Sequence, residues 1–272
     1  MSRFDAIDRA RSLCADVEFD LDHLKPSVLA RMRLLDEHSE TISDAERMAA
    51  NAHVVFRYYE EHEPSAAFTE AERRIVILGC LFSDIGKTGP LRANDSQQRL
   101  IVDMFAIEGV RDEKQSVSRF FENHFPNDAA ERIRRFTELG LDPNMTLREF
   151  WNHHSAWTLE IAEAGGVPDE AVAAAAVHHL LEHVNPGQIV DEKRRFTRAF
   201  GDNLSFDRPE KLVILLDKYD AARRRGRLDH ARAIEWLRDR LDKNTEFRGD
   251  PELVALIAVL ERAFAESSAS AT

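Results

Sequence analysis

Eleven histidines are spread unevenly along the 272 residues. Six of them have neighbours that could give them chemistry to do: His53, His153, His154, His178, His179 and His183. Neutral imidazole is the commonest protein ligand for divalent metals, and carboxylates complete sites for hard or borderline ions. The qualifying carboxylates are Asp84 and Asp217, each at the end of an apolar helical run, LGCLFSDIGK and KLVILLDKYDA. An acid in such a place needs a charged partner, because an isolated buried carboxylate is costly. A metal ion would supply one. The alternative is a metal-free hydrogen-bond network, and His53 within AANAHVVFRYY reads equally as a buried histidine with one partner.

In VAAAAVHHLLEH an alanine face ends in paired histidines, and such small side chains let neighbouring helices approach closely. Adjacent helical residues project ~100° apart, so His178 and His179 can flank one site only over their shared edge. His179 with His183, and His178 with Glu182, stand at the spacing that puts two side chains on one helix face. Burying two adjacent imidazoles without polar partners would cost roughly 1–3 kcal/mol for each unsatisfied group, which favours a ligand role. His38, His62 and His230 sit among charged residues and read as surface histidines. Arg223, Arg224, Arg225 and Arg227 read as a cationic helix end favoured by the macrodipole, or as phosphate contacts, with Arg223 and Arg225 the candidates for substrate.

The elements that must position these groups are helices. Apolar residues recur at helical spacing nearly everywhere, and no period-2 run flanked by turn residues stands out. Helices are expected near 3–15, 26–38, 44–62, 69–83, 95–108, 112–124, 128–138, 146–164, 168–184, 192–200, 208–225, 229–242 and 250–265. Thr69 with Glu72 and Thr146 with Glu149 fit the capping box, in which a side-chain oxygen accepts a free backbone N–H and the acid reaches back. Glycine and proline clusters mark helix ends, and the tail AESSASAT has a disordered composition.

Composition excludes several classes. No stretch approaches the ~18 consecutive apolar residues of a membrane span, and the N-terminal segment lacks the apolar run of a secretory signal. Two cysteines, Cys14 and Cys80, are too few for a disulfide framework or a thiolate site and read as buried thiols of a reducing, cytoplasmic compartment. A net charge of -12 repels polyanions, which argues against general nucleic-acid binding. An anionic substrate needs a local positive site.

The order of these motifs resembles the HD superfamily of phosphohydrolases and, within it, the HD-GYP group. That pattern reads here as His53, LGCLFSDIGKTGP, His154, His178-His179 and LLDKYDA with Asp217. ARAIEWL and FRGDPELVALIAVL resemble the closing helices of the group, and DIGK is the most specific element. The resemblance covers about 53–88 and 146–262. It implies an all-α HD-domain bundle over 44–266, with residues 1–43 as an added helical extension and 88–145 as a helical insertion.

The resemblance further implies that His53, Asp84 and Asp217 hold one metal, while Asp84 bridges to a second held by His154, His178 and His179. The ions would be divalent, iron or manganese, one or two per chain. Asp84 and Lys87 would be the catalytic residues, Asp84 orienting the nucleophile and Lys87 contacting substrate phosphate. The implied activity is hydrolysis of a phosphoester in a nucleotide or cyclic dinucleotide such as cyclic di-GMP. The alternative is a weak or inactive relative that binds a nucleotide or a signalling partner, with a homodimer as a further expectation. Three departures separate the chain from the pattern: Ser83 stands where the group has the histidine of His-Asp, EHVNPGQIV replaces the glycine-tyrosine-proline signature, and 88–145 is a long connector. Ser83 removes one imidazole from the first metal position and leaves the ligands of the second intact.

Overall fold

The computed structural model describes residues 6–270, so the start expected at residue 3 lies outside the described residues. Among these residues there are twelve α-helices, five short 3-10 turns and no strand. An N-terminal pair, α1 (Ala6–Ala15) and α2 (Pro26–His38), precedes the long α3 (Thr41–His62) and the central α4 (Glu70–Phe82). A 3-10 turn at Ile85–Thr88 then leads to α5 (Asp95–Phe105), α6 (Val117–His124) and α7 (Ala129–Glu138). The bundle closes with α8 (Leu147–Gly165), α9 (Asp169–Ala176), α10 (Arg208–Arg224), α11 (His230–Lys243) and α12 (Pro251–Ser270). The all-α expectation holds, and no helix among the described residues is long and apolar enough to cross a membrane.

Several ends are fixed by the expected chemistry. Thr69 and Thr146 accept from the backbone N–H of Glu72 and Glu149, whose carboxylates reach back. Asn94 with Gln97 and Asp207 with Glu210 form two more such boxes at the starts of α5 and α10. One contiguous apolar core runs from Ile7 in α1 to Phe264 in α12, so the N-terminal pair shares it with the rest of the bundle. Its centre is α4, which is buried without a break from Ile75 to Phe82 and packs against α3, α9 and α10. A side chain at Gly79 would meet Ala174 Cβ at 2.9 Å and Val213 Cγ2 at 3.0 Å, so the alanine face of α9 does serve close packing.

Three expected helices differ. The one over 168–184 stops at Ala176, because the ring Nδ1 of His178 takes the Ala175 carbonyl and Leu180 N–H donates back to Val177 in a tighter turn. None forms over 192–200: Asp191 accepts the backbone N–H groups of Lys193 and Arg195 and the Arg195 guanidinium, a local turn that outcompetes a helical start. The one over 112–124 begins only at Val117, capped by Ser116. At the other end, α12 continues to Ser270 through most of the tail with the disordered composition, whose last two residues lie outside the described ones.

Candidate metal centre

Asp84 sits one residue beyond the Ser83 cap of α4, at the start of the Ile85–Thr88 turn. Helix α8 holds this turn directly. Thr158 donates its hydroxyl to Ser83 O at 2.8 Å and accepts Gly86 N–H at 3.0 Å. The approach leaves no room at Gly86, where a Cβ would lie 2.0 Å from His154 O. From the other side the buried Arg31 of α2 donates to Thr88 Oγ1 at 2.6 Å and to the carbonyls of Pro90 and Leu91, both at 3.0 Å. No carboxylate is among these partners, and burial lowers the Arg31 pKa to about 10.

One turn before Thr158, His154 points from α8 at the same place. His178 and His179 arrive from the loop beyond α9. Because α9 ends at Ala176, they are not held ~100° apart as they would be in a helix, and their ring centroids lie 4.3 Å apart. The His154, His178 and His179 rings each offer a ligand nitrogen within 4.8 Å of the others. His154 Nε2 and His178 Nε2 are 3.0 Å apart, and Asp84 Oδ1 lies 3.4 Å from the first and 3.6 Å from the second.

The far nitrogens of this pair fix the tautomer of each neutral ring. His154 Nδ1 bonds to Trp151 O and His178 Nδ1 to Ala175 O at 2.8 Å. A carbonyl only accepts, so both Nδ1 atoms carry the proton and each neutral ring turns an Nε2 lone pair toward the other. Two lone pairs at 3.0 Å repel unless a proton or a metal ion lies between them. Burial lowers the pKa of His154, which favours the neutral ring there. Ligand bonds of ~2.0–2.1 Å from two imidazoles put their nitrogens about 3.0–3.4 Å apart, so this donor set fits a divalent ion. Burial would raise the Asp84 carboxyl, but the Lys87 ammonium beside it holds it well below the usual carboxylate range.

The remaining site expectations fare differently. Lys87 binds Asp84 Oδ2 at 2.6 Å, so its ammonium is already engaged by the carboxylate it neighbours. Asp217 lies close enough to feel His179, His178 and Asp84, but its Oδ2 is 2.8 Å from Lys218 Nζ. The Ser83 hydroxyl turns back to Cys80 O at 3.1 Å. His53 is directed elsewhere, 3.5 Å from Asp16 and edge-on to Phe56. Arg223 bonds to the Tyr219 hydroxyl at 3.1 Å, on the face of α10 that carries the Tyr219–His230 contact, and Arg225 is exposed at the helix end. His183 adopts φ 62°, is exposed beside Glu246, and does not pair with His179.

Residues outside the expected set complete the surroundings. Asp44 of α3 binds Arg47 and, at 2.6 Å, Arg224, and lies near enough to Lys87 and Asp84 to feel their charges. Its carboxyl is raised by burial despite Arg224 and Lys87. Asp220 accepts from Arg47 at 2.8 Å on the same side. Glu182 and Lys218 flank His179, and burial together with the Lys218 charge pushes the His179 pKa down to about 3. The i,i+3 spacing of Asp44 with Arg47, and of Asp217 with Asp220, was the available signal for these networks. No protein-family model matches the chain, nor does any curated protein or solved structure, so the resemblance to the HD group rests on the motif residues alone.

Proposed function

We propose that this chain holds one divalent ion with His154, His178, His179 and Asp84 and uses it to hydrolyse a phosphoester. The observation that supports this most is the pair of Nε2 lone pairs 3.0 Å apart beside a carboxylate, a buried arrangement that a cation relieves. An ion there supplies a Lewis acid that makes water nucleophilic near neutral pH. The chain supplies the rest. Asp84 presents Oδ1 to the imidazoles and keeps Oδ2 on Lys87, so the lysine fixes the carboxylate and adds positive charge at the rim. A phosphoryl group entering here would meet that charge on an otherwise acidic protein. The motif resemblance points to a nucleotide or a cyclic dinucleotide, cyclic di-GMP included, as the substrate class.

A second reading, a nucleotide-binding protein without turnover, draws on Ser83, whose hydroxyl faces Cys80 O and offers nothing to a second ion. The test is elemental analysis of protein purified without a histidine tag or added metal, followed by hydrolysis of bis(4-nitrophenyl) phosphate with manganese or iron(II). About one ion per chain, lost together with hydrolysis in His154→Ala and His178→Ala, is the expected result. Metal without hydrolysis favours the binding protein, and absence of metal even after supplementation sinks both.

A further inference from the structure

Beside the imidazoles a lysine occupies a position that suits a metal ion. Lys218 Nζ lies 2.6 Å from Glu182 Oε2, 2.8 Å from Asp217 Oδ2 and 2.7 Å from His179 Nδ1, with its side chain 4% exposed. Two carboxylates around one buried point are a donor set for a divalent ion. Here the point is taken by an ammonium carried on α10 itself.

We propose that Lys218 is a built-in cation that takes the place of a second metal ion and limits the centre to one; this rests on the reading of His154, His178, His179 and Asp84 as ligands. An ammonium only donates and a carboxylate only accepts. Glu182 can therefore accept from Lys218 and from His179 Nδ1 together, which leaves the other His179 nitrogen unprotonated for the ligand cluster. Lys218 thus acts as a positioning residue through Glu182 and His179. Arg240, 3.4 Å from Glu182 Oε1, adds to the same anchor. Removing only the ammonium leaves Asp217 and Glu182 largely enclosed with only the Arg240 guanidinium on Glu182, an arrangement that binds a divalent ion or loses stability.

The experiment compares manganese bound per chain in the parent, Lys218→Ala and Lys218→Arg after equilibrium dialysis. Lys218→Ala should hold one ion more than the parent, and Lys218→Arg, which restores a cation, should match the parent. A folded Lys218→Ala with the parent's content overturns the proposal, as does a Lys218→Arg that gains the ion equally. The difference between the proteins reports on Lys218, whereas the parent's absolute content reports on the histidine cluster, so the two readings fail separately. Should Lys218→Ala fold poorly, its melting temperature with and without manganese decides. Recovery by manganese exceeding any shift in the parent supports the proposal, and a metal-independent defect overturns it.

Discussion

The imidazole pocket around His154 and His178 and the ammonium pocket around Lys218 meet at His179, yet they treat charge in opposite ways. In the first, neutral donors and one carboxylate converge with no cation of their own among them except at the Asp84 rim. In the second, two carboxylates close on an internal ammonium and every charge is paired. Burial alone therefore does not mark a metal centre. What distinguishes the first pocket is a pair of lone pairs turned toward each other, because both neutral rings have already spent their protons on backbone carbonyls.

Both pockets depend on backbone placement, and the largest effect should come from disturbing it on the imidazole side. Gly86→Ala puts a methyl 2.0 Å from His154 O and 2.6 Å from Thr158 N, both backbone atoms that cannot step aside alone. Overpacking of this kind costs ~1–3 kcal/mol and occasionally more, and the value here should reach or exceed the upper end. Urea denaturation measures it. A loss below about 1 kcal/mol would mean that α8 and the 83–86 turn are less tightly stitched than Thr158 implies.

Removal of a ligand sharpens the contrast more directly. His178→Ala should weaken manganese binding at least 100-fold, about 2.7 kcal/mol, while its melting temperature in chelator stays close to the parent's or rises, because the repulsion between two lone pairs is gone. Isothermal titration and calorimetry read the two quantities. A large loss of stability in chelator would show that the pair is held by a shared proton, and the contrast with the ammonium pocket would disappear.

On the ammonium side, the start of α10 carries its own test. Glu210 is fully buried, accepts from Asn203 at 2.7 Å and from Asp207 N–H at 2.9 Å, and burial raises its pKa from 4.5 to about 7. Below pH 4.5 the acid is protonated whether the chain is folded or not. As pH rises toward 7 the unfolded chain loses this proton first, so stability falls across that window and levels off above it. The full loss is about 3 kcal/mol at ~1.4 kcal/mol per pH unit. Glu210→Gln does not ionise but turns an NH2 toward one of the two donors, a fixed cost at every pH, so its stability relative to the parent should rise by about 1–3 kcal/mol from pH 4.5 to pH 8. A difference that stays constant between the two values would show that Glu210 does not titrate in this window.

How much of this could be read beforehand follows from helical phase. The capping boxes at Thr69 and Thr146 and the end of α4 were legible because local residues specify them, whereas a meeting of Asp84, His154, His178 and His179 was expected only from the resemblance of the motifs. His53 was not legible, since on α3 it and Asp44 lie half a turn out of phase at ~100° per residue. Periodicity names two faces and leaves open which one meets α10; the structure turns Asp44 there and His53 toward Asp16. The same holds for Arg223 and Arg224, neighbours on α10 that diverge to Tyr219 and Asp44. Lys218 was hidden for another reason. A lysine beside an aspartate looks like a solvated pair until the fold buries the lysine between Asp217 and Glu182.

The smallest expected effect belongs to Ser83, the residue that most sets the motif apart. Its hydroxyl donates to Cys80 O inside the last turn of α4 and touches none of the proposed ligands. Ser83→Ala removes one such bond to a carbonyl that the helix can otherwise satisfy, a change of about 0.5–1 kcal/mol, and should leave manganese content at the parent's value. Ser83→His introduces an imidazole next to Asp84, but with the ammonium still seated between Asp217 and Glu182 it should add no ion. Only Ser83→His combined with Lys218→Ala should hold its second ion more tightly than Lys218→Ala alone, by up to about tenfold, or ~1.4 kcal/mol. If Ser83→His by itself gains an ion, the serine and not the lysine sets the metal number, and the two pockets differ by one missing imidazole instead of one added ammonium.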